Sequence, residues 1–445
     1  MRPITGARLF LISQPEPQIF DTMPTLPKKL NLTAQIAATG GLLVLFPLLI
    51  WHAGHAGYAS LLSTYAARVN QIAPANAAVN SAPGDPEGHY LRGAILEAND
   101  DLTGAIAEYD LAASLRPDDY VPWLTLAHAR ELSGDKAGAL AAARQAVPLA
   151  PFYAQPHWQL GNILVRAGQR DEGFKELRLA GASNPILLPG IVELAWQLYG
   201  SDAHLVKQAI QPQSPEAYRV LAESFRKHGK TEDAIAMLSA SGGDAEAVRA
   251  REQYLNELIS TKRFKEAYAL WSQGRSSNSS GGLGVIIDSG FEQESNLDRP
   301  GFGWRVENKS PSLSFSLDPA NPKEGHSSLR IEFKGDSDPG QKIVSQLVLL
   351  EPRTHYQLEF AARTENLVSG GLPSITVTDA SDNVTLGRPV LLPQQADNWQ
   401  HYAIDFNSKE ATTAIHISLQ RERCSNSPCP IFGRLWLDSF SLQKR

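Results

Sequence analysis

The most apolar stretch of the chain lies near its start. Within a segment free of acidic and basic side chains, the run IAATGGLLVLFPLLIW occupies positions 36–51. With its neutral flanks the run reaches the roughly 20 residues that a helix needs to cross the hydrocarbon core of a bilayer. Lys28 and Lys29 come before it, so the positive-inside rule puts the N-terminus in the cytoplasm. The pattern predicts a disordered cytoplasmic leader at 1–33 and one transmembrane helix at 34–54.

Two other interpretations of this segment stay open. A basic stretch followed by an apolar one is also typical of a cleaved signal peptide, and the small residues at 52–59 would suit cleavage. A buried core helix is the second alternative, which the two preceding lysines disfavour. We favour the uncleaved anchor because the run is long and helical sequence follows it without a spacer. Met23 is an alternative start, since residues 1–22 show no hydrophobic period.

A repeat follows the apolar segment. Four prolines are each 34 residues apart: Pro83, Pro117, Pro151 and Pro185. Between them, small residues such as Gly93 and Gly161 fall in a first helical segment, and alanines line a second segment that ends before the proline. In the block from 87 to 117 the small residues are Gly93, Ala105 and Ala112, with Tyr109 as the bulky partner. Helices that cross closely admit only Gly or Ala at the contact, and proline cannot continue a helix, so the period predicts stacked helical hairpins.

This pattern resembles the tetratricopeptide repeat family over residues 55–273. The resemblance implies an all-α solenoid of about six hairpins, with a degenerate unit after Pro185. Stacked hairpins of this family curve into a groove lined by their first helices, and such grooves bind extended peptides or partner helices. Five side chains are expected to face the groove by their position in the repeat: Tyr90, His128, Trp158, Asn162 and Arg166. In the competing interpretation, Tyr90 and Trp158 pack within the repeats. His128 is then an ordinary solvated or hydrogen-bonded helix residue.

Beyond residue 273 the period changes from helical to alternating. A Gly/Ser-rich linker is expected at 274–283. After it, six segments alternate apolar and polar residues: LRIEF, YQLEF, SITVT, YAIDF, IHISL and LWLDSFSL. Turn signals such as NPKEG, DSDPG and SGGLP separate them. The pattern predicts an antiparallel β-sandwich of about eight or more strands at 284–445.

The landmarks of this region occur in a characteristic order. They are SGFE at 289–292, GW at 303–304, GHSSLRIEF, HYQLEFAAR, Trp399 and the final LWLDSFSL. As a set they resemble the jelly-roll carbohydrate-binding modules with a galactose-binding-like fold. The resemblance implies a ligand-binding or protein-contact module, with glycans as the family's commonest target. Trp304, Trp399 and Trp436 coincide with landmark positions and are expected to fill the core.

The same resemblance implies a metal site. Glu292 and Asp438 match acidic positions at which members of this fold hold a structural calcium ion, although two carboxylates need backbone carbonyls to complete the coordination. Alternatively, Glu292 and Asp438 accept hydrogen bonds in turns and caps. Cys424 and Cys429 are the only cysteines, too few for a zinc site of cysteines alone. They are expected to form a local disulfide in an oxidising compartment.

Charge and motifs exclude several classes of function. With a net charge of −6 and no Lys/Arg-rich run, the chain has no basic surface to attract nucleic acid. No nucleophile elbow, HExxH, P-loop or dinucleotide glycine motif occurs, so we expect no enzyme activity. No cofactor is expected apart from the calcium ion.

Together these features predict a multidomain protein of the bacterial envelope, with one N-terminal transmembrane helix, an all-α tetratricopeptide-type solenoid and an all-β jelly-roll sandwich. Both later domains are expected on the periplasmic or extracellular side of the inner membrane. The repeats would bind protein partners, and the sandwich an exported polysaccharide or another envelope component, as in exopolysaccharide or cell-surface assembly. A protein–protein adaptor without glycan affinity is the alternative, and an unrecognised glycoside hydrolase is a further one.

Overall fold

The computed structural model describes residues 32–200, 202–273, 282–293, 297, 299–336, 338–424 and 428–445, with the side chains of all but 32–39, 42 and 336. The predicted leader up to residue 31 and most of the predicted linker, 274–281, lie outside the described residues. The chain divides into two compact units, 1–150 and 151–445. The division falls inside the predicted solenoid and not at the predicted linker.

In its described part the first unit consists of six helices. They are α1 (Leu32–Val69), α2 (Ile72–Ser81), α3 (Pro86–Ala98), α4 (Leu102–Leu115), α5 (Tyr120–Leu132) and α6 (Lys136–Leu149). Successive helices pack in pairs as three hairpins. Gly93 on α3 lies against Tyr109 on α4, as the sequence predicts, and a Cβ at this glycine would lie 2.8 Å from the tyrosine ring.

Aspartates determine where these helices begin. The carboxylates of Asp85 and Asp119 each accept a backbone N–H from the first turn of α3 and α5. Asp101 and Asp135 do the same for α4 and α6. Such caps satisfy N–H groups that have no partner inside the helix, and each contributes about 1 kcal/mol. Both pairs are 34 residues apart, so the caps follow the repeat period and position the hairpins.

The apolar run near the start forms the first half of α1, a helix of 38 residues. Its side chains from Leu43 to Trp51 are exposed, whereas Ala59, Ser63 and Ala66 farther along are buried where α1 packs on α2 and α3. Among the described residues, no helix is both long and apolar enough to cross a membrane. The transmembrane helix predicted at 34–54 is therefore not found. Instead, α1 continues without a break into the first hairpin.

The described helices of the second unit form four further hairpins. They are α7 (Ala154–Arg166), α8 (Arg170–Ser183), α9 (Leu188–Leu198), α10 (Ala203–Ile210), α11 (Pro215–Lys227), α12 (Thr231–Ala240), α13 (Ala245–Ser260) and α14 (Phe264–Ser272), with a 3₁₀ turn at Pro185–Leu187. The unit predicted to be degenerate is the α9–α10 hairpin, in which α10 has 8 residues where α8 has 14. Gly161 allows α7 and α8 to approach closely, since a Cβ there would lie 2.7 Å from Leu177 Cγ.

In the described residues, ten strands follow the helices. They are β1 (Arg305–Val306), β2 (Leu313–Asp318), β3 (Ser328–Asp336), β4 (Lys342–Leu349), β5 (His355–Ser369), β6 (Pro373–Asp379), β7 (Val390–Leu391), β8 (Ala396–Asn407), β9 (Ala414–Arg421) and β10 (Pro430–Lys444). The first sheet has the order β1-β4-β9-β6-β7 and the second β2-β3-β10-β5-β8. All paired strands are antiparallel. The inner faces share one apolar core that includes Phe360 and Ile417, and the predicted antiparallel sandwich is confirmed.

The last helical hairpin and the sandwich share a second apolar core inside the second unit. Trp271 and Tyr268 of α14 pack against Phe302, with ring centroids 5.6 and 5.0 Å away. Leu347 and Leu349 of β4 belong to the same cluster. These two leucines point away from the sandwich core and therefore need another apolar surface to cover them. The sequence predicts two domains joined by a linker, and the structure adds a direct contact between them.

Candidate functional sites

The predicted groove residues of the first unit lie on α3 and α5. Tyr90 is half-buried, with its ring 5.7 Å from that of Tyr109. Its hydroxyl oxygen lies 3.5 Å from the hydroxyl of Thr125 on α5. His128 is exposed. Tyr90 therefore packs between its own hairpin and the next one, whereas His128 presents its side chain to solvent.

The predicted groove residues of the second unit lie on α7. Trp158 is half-buried against the helical core and reaches Gly190 of α9. The side-chain amide of Asn162 donates to the Trp158 carbonyl 2.7 Å away, which turns it back onto its own helix. Arg166 is exposed at the end of α7. The spacing of four residues places all three on one side of the helix, where Trp158 contacts the neighbouring first helix.

A buried polar network, which the sequence patterns did not predict, joins α3 to α4. His89 is buried, with its Nδ1 2.8 Å from Glu108 Oε2 and its Nε2 3.0 Å from the carbonyl oxygen of Pro83. Arg92 donates to the other carboxylate oxygen of Glu108. A buried carboxylate needs such partners, because an unpaired charge away from water is strongly destabilising. The network is therefore structural.

The same arrangement recurs in the second unit, 68 residues further along the chain. His157 Nδ1 lies 2.6 Å from Glu176 Oε2, and its Nε2 lies 3.0 Å from the carbonyl oxygen of Pro151. Midway between the two histidines, Trp123 Nε1 donates to the carbonyl oxygen of Pro117 over 3.0 Å. An aromatic ring thus contacts the proline turn in each of these repeats. The rings of His89, Trp123 and His157 are 34 residues apart, and this spacing is the sequence signal for their contact with the proline turns.

A cavity of about 430 Å³ opens between α11 and α13. Both are the first helices of their hairpins, so the cavity lies where two neighbouring repeats meet. Its floor is apolar and includes Ala222, Leu238, Ala250 and Tyr254. This floor is able to accommodate an apolar side chain from a partner.

Two arginines of α11 line the rim of that cavity. Arg219 pairs with Asp244, the N-cap residue of α13, at 3.0 Å, and Arg226 with Glu257 of α13 at 2.8 Å. Arg226 also donates to Glu223, and this hydrogen bond lowers the pKa of the Glu223 carboxyl. These pairs hold the guanidinium groups in place. The cavity therefore combines an apolar floor with charges at defined positions.

Away from Leu347 and Leu349, the outer face of the first sheet is polar and largely buried. Thr376 of β6 and Ser418 of β9 share a hydrogen bond of 2.9 Å. Burial, followed by the charges of Lys342 and Arg305, lowers the pKa of His416 on β9 to about 4. Its Nδ1 has no hydrogen-bond partner in the part of the chain that the structure describes. Since most side chains of β4, β6 and β9 are buried, this sheet offers little exposed surface to a ligand.

The outer face of the second sheet carries a row of arginine and tryptophan side chains. It runs across neighbouring strands from Arg330 of β3 through Trp436 of β10 and Arg363 of β5 to Trp399 of β8. The Arg363 guanidinium carbon lies 4.1 Å from the ring centroid of Trp436 and 5.9 Å from that of Trp399. The corresponding distance from Arg330 to Trp436 is 5.9 Å. Each such cation–π contact contributes about 0.5–2 kcal/mol, so the row is held in place.

The positions of two tryptophans correct the sequence prediction. Trp304 fills the core as predicted, with its ring 4.7 Å from that of Phe440. Trp399 is half-exposed, and Trp436, although only 4 % exposed, lies on the opposite side of β10 from the core leucines. The reason is a β-bulge at Ser439, which has a φ of 55°. The bulge returns Phe440 to the core, whereas Trp436, four residues earlier and before the bulge, faces out.

Glu292 and Asp438, the predicted calcium ligands, hold the loop between β2 and β3. Glu292 accepts the backbone N–H of His326 at 2.8 Å, and Asp438 accepts that of Lys323 at 2.7 Å. These partners are donors, whereas calcium needs oxygen ligands, so the present arrangement does not fit the ion unless the loop turns. Among the described residues, no three His, Cys, Asp or Glu side chains are grouped to hold a metal. The calcium ion stays a prediction.

Cys424 and Cys429 form a disulfide, with their Cα atoms 5.9 Å apart. Arg421 is only 1 % exposed, and its Nη2 lies 3.1 Å from Cys429 Sγ of this disulfide. It donates to the carbonyl oxygen of Cys429 at 2.8 Å, to the Ser369 hydroxyl at 2.9 Å and to the carbonyl oxygen of Gly371 at 3.3 Å. The disulfide, the end of β9 and the turn between β5 and β6 are thereby joined.

Some solved structures are similar to parts of the chain. No family profile matches the chain, and no curated protein matches it. Similar solved structures include MamA, a tetratricopeptide-like protein that is 14 % identical, with a TM-score of 0.27 over 42 % of this chain and 89 % of that chain.

Carbohydrate-binding modules are also among the similar structures. TmCBM61 in complex with β-1,4-galactotriose is 18 % identical, with a TM-score of 0.25 over 37 % of this chain and 100 % of that chain. A CBM4 structure is 13 % identical, with a TM-score of 0.25 over 36 % of this chain and 100 % of that chain. The helical repeats and the β-sandwich are seen directly in the helices and strands of the described residues.

Proposed function

We propose that the chain is a non-enzymatic scaffold of the bacterial envelope, whose repeats bind a peptide of a protein partner and whose sandwich binds a polysaccharide. The observation that carries the proposal is the cavity between α11 and α13. Leu238 and Tyr254 form an apolar floor, and the ion pairs of Arg219 and Arg226 form a charged rim. Such a site suits a peptide that inserts one apolar side chain and places polar residues on either side.

A peptide-display selection with the full chain tests the groove. Ala250→Trp on α13 would fill the cavity and should weaken the selected peptides about tenfold or more, as measured by fluorescence polarisation. Ala236→Trp is the matched control, because Ala236 is exposed on α12 and does not line the cavity. Equal affinity of both variants and the wild type would refute binding at this cavity.

The exposed part of Trp399 supports the glycan function of the sandwich. Sugar faces stack on aromatic rings, and Arg363 fixes the position of this ring. On a glycan array, Trp399→Ala should bind a polysaccharide about fivefold more weakly than the wild type, whereas Trp399→Phe should retain most of the affinity. Phe432→Ala removes an exposed ring elsewhere on β10 and serves as control. A wild-type chain that binds no polysaccharide would favour the adaptor without glycan affinity.

We further propose that the chain is attached to the inner membrane, with the repeats and the sandwich outside the cytoplasm. The exposed apolar side chains from Leu43 to Trp51 support this proposal, since soluble proteins rarely leave such a patch to water. The disulfide suits an oxidising compartment. A reporter fused after Arg445 should be active in the periplasm, and a cytosolic reporter would refute the topology. A shortened chain in the soluble fraction would instead indicate a cleaved signal peptide.

The absence of enzyme activity is part of the proposal and has its own test. The full chain is incubated with any polysaccharide that it binds, and the products are analysed by chromatography. We expect no release of oligosaccharides. Release that disappears on substitution of a pair of carboxylates would identify a glycoside hydrolase instead.

A further inference from the structure

The shortened α9–α10 hairpin has a cavity beside it. α10 contains 8 residues, whereas α4, α6 and α8 contain 14 each. The difference corresponds to roughly 9 Å of helix, so side chains that a full second helix would lay against α8 are absent. A cavity of about 440 Å³ lies between α8 and α10. Its size falls within the range of small-ligand sites, about 300–1,000 Å³.

The lining of this cavity has two chemical parts. Phe174 and Leu205 provide apolar surface. The groups that carry N–H or O–H donors are Arg178, Tyr199, Gln208 and Gln211. A ligand that fits both parts has a polar acceptor group attached to a short apolar portion.

Arg178 is the charged donor inside this cavity. It is half-buried, and this burial lowers the pKa of its guanidinium more than the charge of Asp171 raises it. Within the described residues, Arg178 makes one hydrogen bond, in which Nη1 donates to the carbonyl oxygen of Ala209 at 2.7 Å. A guanidinium has five N–H donors, so several are available to an acceptor. A partly dehydrated cation also gains stability from an anionic partner.

The charges around the opening favour an anion. The guanidinium carbon of Arg170 lies 5.8 Å from the centroid of the Tyr199 ring, which belongs to the lining. Asp171 also belongs to the lining, and its side chain is exposed to water, which screens its charge. Arg178 in the lining and Arg170 beside Tyr199 therefore place two guanidinium groups near one solvated carboxylate.

We propose that this cavity binds a carboxylate carried on a short apolar chain, with Arg178 and the two glutamine amides holding the carboxylate and Phe174 and Leu205 covering the apolar part. Two sources share this chemistry: the C-terminal residue of a peptide and a free organic acid. The cavity lies between second helices and shares no lining residue with the cavity between α11 and α13. Its test is therefore independent of the proposed peptide groove.

Isothermal titration calorimetry of the full chain provides the test. The probes are N-acetyl-Ala-Leu with a free carboxylate, the same dipeptide as its C-terminal amide, and isocaproate. The free acid should bind, and the amide should bind about tenfold or more weakly, because only the acid forms charge-assisted hydrogen bonds. Arg178→Gln should weaken the binding of the free acid by a similar factor. Lys175→Gln removes an exposed charge from the same helix and should leave the affinity unchanged.

The remaining outcomes either identify the source or overturn the proposal. Tighter binding of the dipeptide than of isocaproate indicates a peptide C-terminus, and the reverse indicates an organic acid. Arg178→Gln also loses the hydrogen bond to Ala209. Gln208→Leu is therefore a second variant, which keeps this bond and should also weaken the binding of the acid. No binding of either acid at about 10 mM, equal binding of acid and amide, or wild-type affinity in both variants overturns the proposal.

Discussion

Acidification should destabilise the sandwich through His416. Its imidazole is buried on the outer face of the first sheet, and burial, then the charges of Lys342 and Arg305, lowers its pKa from 6.5 to about 4. Burial lowers the pKa of Lys342, and the nearby carboxylate of Glu307 raises it by a smaller amount. The Glu307 carboxylate accepts a hydrogen bond from Ser345 at 2.8 Å. The imidazolium form of His416 therefore lacks a compensating partner.

The sign of the effect follows from proton binding. The unfolded chain protonates this imidazole near pH 6.5, whereas the folded chain does so only near about pH 4. Between these values the unfolded state holds more protons, so the free energy of unfolding falls as the pH falls. A tenfold change in proton affinity is worth about 1.4 kcal/mol, which gives a loss of about 2 kcal/mol from about pH 7 to about pH 5. The complete loss approaches about 3 kcal/mol near pH 4, and none is expected above about pH 7.

Urea unfolding followed by tryptophan fluorescence measures this loss. His416→Gln keeps a polar side chain but removes the titrating ring, so its stability should depend on pH by about 2 kcal/mol less than that of the wild type. His401→Gln is the control, because His401 is exposed on β8. If the wild type and His416→Gln lose the same free energy on acidification, the assignment to this imidazole is wrong.

Three further predictions concern packing and covalent structure. Gly161→Ala places a Cβ 2.7 Å from Leu177 Cγ and should cost about 1–3 kcal/mol in thermal unfolding, whereas an unchanged midpoint would show that the α7–α8 crossing adapts freely. Trp271→Ala should cost about 3–5 kcal/mol and give separate calorimetric transitions for the repeats and the sandwich, and a single unchanged transition would contradict the shared core. Cys424→Ser opens the short loop closed by Cys429 and should lower the free energy of unfolding by about 2 kcal/mol relative to the oxidised wild type. The reduced wild type should be equally destabilised, and an undiminished stability of Cys424→Ser would contradict this role of the disulfide.

Predictions that depended on short-range periodicity are the ones that the structure bears out. The 34-residue period predicted the helical hairpins, because the residues that face a partner helix recur three or four positions apart. Alternation identified the sandwich, because successive strand residues point to opposite faces. The aspartate caps and the rings at His89, Trp123 and His157 follow the same period, so the sequence contained their signal as well.

By itself the sequence determined the order of the elements, the pairing of helices into hairpins and the existence of an antiparallel sandwich, since each depends on neighbours along the chain. The tertiary structure alone decided that Trp436 faces out, because one bulge reverses the alternation between it and Phe440. It also decided that Trp271 packs on the sandwich and that the short α10 leaves a cavity beside Arg178. These features depend on which distant surfaces meet, and a local pattern does not specify that.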